Sequence, residues 1–121
     1  MAEQFAVTEE ATDDDRYIVA VDGEVDLFTS AQLRGVLLRA IDAGHERLVI
    51  DLCGTTSMDS SGMAALLTAY RRMTRHPDGR IVVSCASDDM MRVFKLAQLH
   101  QILRFEPSRE AALDALTEPV A

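Results

Sequence analysis

Two hydroxyls set between a carboxylate and a glycine, in the run Met58-Asp59-Ser60-Ser61-Gly62-Met63, form the sharpest chemical feature of this 121-residue chain. The run follows a strand-like segment and precedes a helical pattern, so Ser60 and Ser61 stand where the chain enters a helix. Unpaired amide groups and about half a unit of positive charge at such an end would receive an added anion well. Asp and Ser are also favoured at helix caps for their hydrogen bonds alone, and that plainer role stays open for the tetrapeptide. A second polar loop, after Gly23-Glu24-Val25, holds Asp26 and Thr29. Sites in open α/β sheets gather in the loops after the carboxyl ends of parallel strands, where both segments would sit.

A hydrolytic reading would make Ser61 the nucleophile and His100 its base. It lacks support, because a nucleophile elbow needs Gly two residues before the Ser and that position is Asp59. No glycine-rich oxyanion loop is present, Gly54 opens no G-K-[ST] phosphate loop, and His45, His76 and His100 lie in polar surroundings. Cys53 and Cys85 end two β runs expected to be neighbours, which makes a redox bridge geometrically conceivable; buried inert thiols are the better reading. No C-x-x-C or His pair has metal-ligand spacing, so no metal and no cofactor is expected. Met90 and Met91 beside Val93 and Phe94 read as core filler, and Arg71, Arg72 and Arg75 as a solvated helix face.

The elements that must position these residues follow from periodicity. Tyr17 to Val21 is a strand rich in β-branched residues. Thr29 and Gln32 have capping-box spacing, with Phe28 and Leu33 placed as a hydrophobic staple, so a helix is predicted from Thr29 with the stripe Leu33, Val36, Leu37, Ala40 and Ile41, stopping at Gly44. Arg47 to Leu52 reads as a strand buried on both faces, Gly54 to Asp59 as a polar turn, and Met63, Leu66, Leu67 and Tyr70 as the next helix. Pro77, Asp78 and Gly79 end it; Arg80 to Cys85 is another buried strand. Ser87 caps a third helix, Gln101 to Phe105 contains a last short strand, and Pro107 with Ser108 opens a terminal helix. Helix-sized crossovers make the central strands parallel in an α/β domain.

The length suits one compact domain, and the hydrophobic share of 48% supports a core without disulfides or metal. The net charge is −8, of which −6 falls in residues 1–15, leaving −2 for the rest. Residues 1–15 are therefore expected to form an acidic arm or a frayed first strand, with the domain proper at 16–121. A nucleic-acid grip is disfavoured without a basic patch. No apolar run reaches the ~18 residues of a membrane span, and Met1 to Glu10 lacks a signal-peptide pattern, so no membrane partner and a cytoplasmic location are expected.

Taken in order, Gly23-Glu24-Val25-Asp26, the helix opening near Thr29, Met58 to Met63 at the next helix and the final Phe105-Glu106-Pro107-Ser108-Arg109-Glu110-Ala111-Ala112-Leu113 resemble the STAS domain of bacterial anti-sigma factor antagonists. The resemblance runs from about Tyr17 to Leu116. It implies a single α/β domain with a mixed central sheet of four to five strands and about four helices. It further implies a binding protein, not an enzyme. The unphosphorylated form would bind an anti-sigma factor that is also a serine kinase, so freeing the sigma factor. Phosphorylation of Ser61, the Ser before Gly62, would end binding, and a serine phosphatase would restore it. Asp26, Thr29, Asp59, Ser60, Ser61, Gly62 and Met63 would form the partner-binding face, with Gly62 leaving room for the kinase. The alternative that the family offers is a scaffold subunit in a larger signalling or lipid-transport assembly. Where the family often has Leu-x-Gly-Leu, this chain has Leu96-Ala97-Gln98-Leu99.

Overall fold

The computed structural model describes residues 4–118. Five strands form one sheet in sequence order: β1 (Ala6–Ala11), β2 (Tyr17–Val25), β3 (Arg47–Met58), β4 (Arg80–Ser84) and β5 (Arg104–Glu106). β1 runs antiparallel to β2; every other neighbouring pair is parallel. The helices are α1 (Leu27–Asp42), α2 (Ser60–Met73), α3 (Asp88–Leu96) and α4 (Arg109–Ala115), with a 3-10 turn at Leu99–Gln101. This is the mixed sheet with four helices expected from the resemblance.

Right-handed crossovers between strands laid down in sequential order put successive connecting helices on one face. α1, α2 and α3 accordingly share a core with Val19, Val21, Leu48, Ile50, Leu52 and Val83, while α4 closes the opposite face over Ile18, Ala20, Val49 and Val82. Alternation along each central strand therefore feeds two cores, which is why these segments read as continuous apolar runs.

One open choice is decided and three local expectations are corrected. Of the acidic arm and the frayed first strand left open for residues 1–15, residues 6–11 form the strand, and it is regular: β1 pairs with Tyr17–Asp22 along its whole length, and the Tyr17 hydroxyl donates to Glu9 at 2.9 Å. Gly54 to Met58 is not a turn but the second half of β3. Two register shifts against β2 admit it, and the buried Thr55 hydroxyl donates to the Val21 carbonyl at 2.9 Å, satisfying an acceptor within the first irregularity. Gly23 makes the second possible: its φ is +92°, and a Cβ there would stand 2.7 Å from the Gln4 carbonyl oxygen. Finally, α1 begins at Leu27 with Asp26 as its cap, so Asp26 and Thr29, not Thr29 and Gln32, form the capping box. Phe28 consequently lies 83% exposed and staples nothing, while Leu33 is buried.

Candidate functional site

The carboxyl-terminal edge of the parallel strands carries three helix starts. Asp26 follows β2 and caps α1, Asp59 follows β3 and caps α2, and Ser87 caps α3 after β4. Val25 and Met58 are paired in the sheet, and the Asp59 amide donates to the Val25 carbonyl at 3.1 Å, so Asp26 and Asp59 leave adjacent strands side by side. One register thus brings the two polar loops together.

At the first, Asp26 Oδ1 accepts from the amides of Phe28 (2.9 Å) and Thr29 (3.0 Å), and Thr29 Oγ1 accepts from the Asp26 amide at 2.8 Å. The Thr29 hydroxyl can give its single proton to the Glu24 carbonyl at 3.0 Å. At the second, Asp59 Oδ1 accepts from the amides of Ser61 (2.9 Å) and Gly62 (3.2 Å) and from the Ser61 hydroxyl at 2.5 Å. Ser60 and Ser61 are the first two residues of α2; Ser60 is exposed and Ser61 half-buried. Both carboxylates are held below the usual range. For Asp59 the Ser61 hydroxyl contributes most, and the charge of Asp26 pushes weakly the other way. For Asp26 the Thr29 amide leads.

Gly62 is buried, and a Cβ there would meet Met58 Cγ at 2.5 Å and Val25 Cγ1 at 2.8 Å. The missing side chain is therefore occupied from inside by Met58 and Val25. It leaves no opening for an approaching kinase, contrary to the expectation from sequence. Met63 packs partly buried against the main core. Met58 also lines a shallow groove of about 180 Å³ between the end of β3 and α3, with Met90, Val93 and Phe94. Sequence reasoning missed Leu27 and Phe28, exposed by 68% and 83% in the first turn of α1 beside Asp26. The legible signal was two large apolar residues immediately after a cap-forming Asp.

Elsewhere the two thiols stand apart. Cys85 is buried in the core under α1–α3, whereas Cys53 is exposed, contrary to the expectation of two buried thiols, and both are free. Desolvation and the Asp51 carboxylate push the Cys53 thiol up to about 11, which disfavours the thiolate at neutral pH. Arg71 and Arg72 lie on α2 and Arg75 beyond its end; Arg72 bonds Asp42 of α1 at 2.6 Å. Met90 and Phe94 are buried as expected, but Val93 is 43% exposed. Among the described residues no helix is long and apolar enough to cross a membrane.

The model of the STAS domain matches residues 6–112. The chain belongs to the STAS family. Its sequence is 26% identical over 102 residues to an anti-sigma-B factor antagonist of Staphylococcus epidermidis, covering 84% of this chain and 94% of that one. In structure it resembles an anti-sigma factor antagonist from Mycobacterium paratuberculosis (TM-score 0.88, 22% identity, 98% of this chain and 100% of the other). It also resembles the antagonist SpoIIAA in its unphosphorylated form (0.72, 22%, 94% and 100%) and, from Bacillus, in its phosphorylated form (0.70, 24%, 92% and 99%). At these identities the structural likeness speaks for the STAS fold, which places the Asp59–Met63 segment at the start of the second helix.

Proposed function

We propose that this STAS chain is a cytoplasmic anti-sigma factor antagonist controlled by phosphorylation of Ser61. Unphosphorylated, it binds an anti-sigma factor that is a serine kinase and releases the sigma factor; phosphorylated on Ser61, it lets go until a serine phosphatase restores it. The observation that carries this reading is the Ser61 hydroxyl, fixed at the amino end of α2 by Asp59, with Asp26 leaving the adjacent strand beside it. An added phosphate there meets a helix end that favours negative charge, so the fold tolerates the modification. Leu27 and Phe28 extend the face with the exposed apolar surface that a protein partner needs.

A regulatory role without catalysis accords with the site. The Ser61 proton goes to a carboxylate, and among the described residues no histidine hydrogen-bonds Ser61, so the relay of a serine hydrolase is not assembled. The test is a pull-down of host proteins with the unmodified chain, followed by ATP and peptide mass spectrometry. The expected result is a captured kinase that places phosphate on Ser61, leaves Ser61→Ala unmodified and dissociates after transfer. A stable complex indifferent to ATP and phosphatase would favour the scaffold role instead. Labelling of Ser61 by a fluorophosphonate would favour the hydrolase.

A further inference from the structure

Exposure alone would direct a kinase to Ser60, which is more accessible than Ser61 and precedes it at the helix start. The hydrogen bonds point the other way. Ser61 gives its hydroxyl proton to Asp59 Oδ1 at 2.5 Å, while among the described residues the Ser60 hydroxyl makes no hydrogen bond. The acceptor atom is itself immobilised, because the Ser61 and Gly62 amides converge on the same Oδ1. Gly62 is itself buried, with Met58 and Val25 filling the place a side chain would take.

We infer that Asp59 is the positioning residue that selects Ser61 over Ser60 as the phosphoryl acceptor; this rests on the phosphorylation switch proposed above. With its proton committed to Asp59, the Ser61 oxygen is held in one rotamer and keeps its lone pairs for the incoming phosphorus. The Ser60 hydroxyl must be ordered for each encounter. In the transfer, Ser61 Oγ bonds to the γ-phosphorus of ATP, the bond from that phosphorus to the β–γ bridging oxygen breaks, and ADP leaves with the electron pair. The hydroxyl proton passes along the existing hydrogen bond and on to water once the new bond has formed. A loose transition state requires little base strength, so a carboxylate of lowered basicity can serve by orientation alone.

The decisive comparison uses Asp59→Gly and Asp59→Asn with the kinase captured by the unmodified chain, measuring kcat, KM and the division of phosphate between Ser60 and Ser61. Gly is nearly as good a helix cap as Asp but offers no side-chain acceptor, whereas the Asn amide oxygen can take the same three bonds. Asp59→Gly should lower kcat roughly ten- to hundredfold and move phosphate towards Ser60, and Asp59→Asn should restore selectivity for Ser61. Circular dichroism melts of both variants separate a lost cap from a lost acceptor. Wild-type kcat with phosphate confined to Ser61 in folded Asp59→Gly overturns the inference and leaves the switch standing. If Asp59→Gly does not fold, Asp59→Asn decides with Ser60→Ala as control. Loss of selectivity in Asn despite a wild-type melt would then overturn positioning by hydrogen bonding, and retention supports it. Absence of phosphate on Ser61 in the wild-type chain overturns both the switch and this inference.

Discussion

Asp26 and Asp59 perform one local task twice: each ends a strand, turns the chain and satisfies the first free amides of a helix. Their carboxyls, held below the ordinary range, couple both caps to pH. A carboxylate whose folded pKa lies below its unfolded value stabilises the fold above about pH 4 and loses that contribution as the pH falls through the folded value. Because the Ser61 hydroxyl is the foremost cause at Asp59, Ser61→Ala should raise the Asp59 titration midpoint, read from its carboxyl carbon by NMR; an unmoved midpoint would deny the bond a role in solution. Asp26 separates capping from recognition. Asp26→Asn keeps the cap acceptor and should melt like the wild type, while its lost charge should slow phosphorylation by the captured kinase. Asp26→Ala should also lower the melting temperature. Equal phosphorylation rates for Asn and wild type would make Asp26 a cap and nothing more. Phe28→Ala should weaken kinase binding with stability changed by no more than about 0.5 kcal/mol, since the ring is 83% exposed.

The elements show where sequence reasoning reaches and where it stops. α2 and α3 were legible because their apolar spacing and their cap residues agree. α1 offered two overlapping box spacings, Asp26 with Thr29 and Thr29 with Gln32, and the choice depended on where β2 ends, which is a tertiary fact. β1 was legible only as one of two alternatives, because an exposed edge strand of acids and small residues has almost no buried face to generate alternation. In β3 the apolar run concealed a buried acid. Burial pushes Asp51 up, but bonds from Cys53, Ser84 and Arg109 outweigh it and leave the carboxyl below its ordinary range. Arg109 stands 58 residues away and ties α4 to the sheet at 2.8 Å, a pairing no local pattern announces. Arg109→Ala should cost about 2 kcal/mol, less than a fully buried pair because the guanidinium is 38% exposed. It should also move the acid-unfolding midpoint to higher pH, since Asp51 then titrates higher; an unchanged midpoint by circular dichroism would contradict this. The turn after α3 was legible only as a departure. Gln98 adopts φ +61°, the left-handed conformation that glycine takes freely, so the turn forms despite the missing glycine. Gln98→Gly should stabilise the chain by about 0.5–1 kcal/mol, raising the melting temperature by a few degrees.

At the scale of the whole molecule, the switch as proposed works through a partner, because the helix end that receives the phosphate favours negative charge and offsets the loss of the bond from Ser61 to Asp59. A phosphate on Ser61 brings roughly −1.5 to −2 charge to the amino end of α2, where the helix dipole favours it and opposes melting. The same charge sits beside Asp59 and near Asp26 at an edge already short of positive charge. A kinase must present its nucleotide's phosphates to that edge, so transfer leaves like charges facing each other across a closing interface, a juxtaposition that costs several kcal/mol. About 3 kcal/mol would weaken binding roughly a hundredfold. Ser61→Asp, with less charge and fewer acceptor oxygens, should weaken binding in part, and Ser61→Ala should bind whether or not ATP is present. Titration calorimetry of the unmodified, phosphorylated and substituted chains against the captured kinase reads the interface, and melts of the same chains alone read the fold. Equal affinities for phosphorylated and unmodified chains would remove the switch. A phosphorylated chain that melts well below the unmodified one would instead place the effect inside the antagonist, in the cap that Asp59 gives α2.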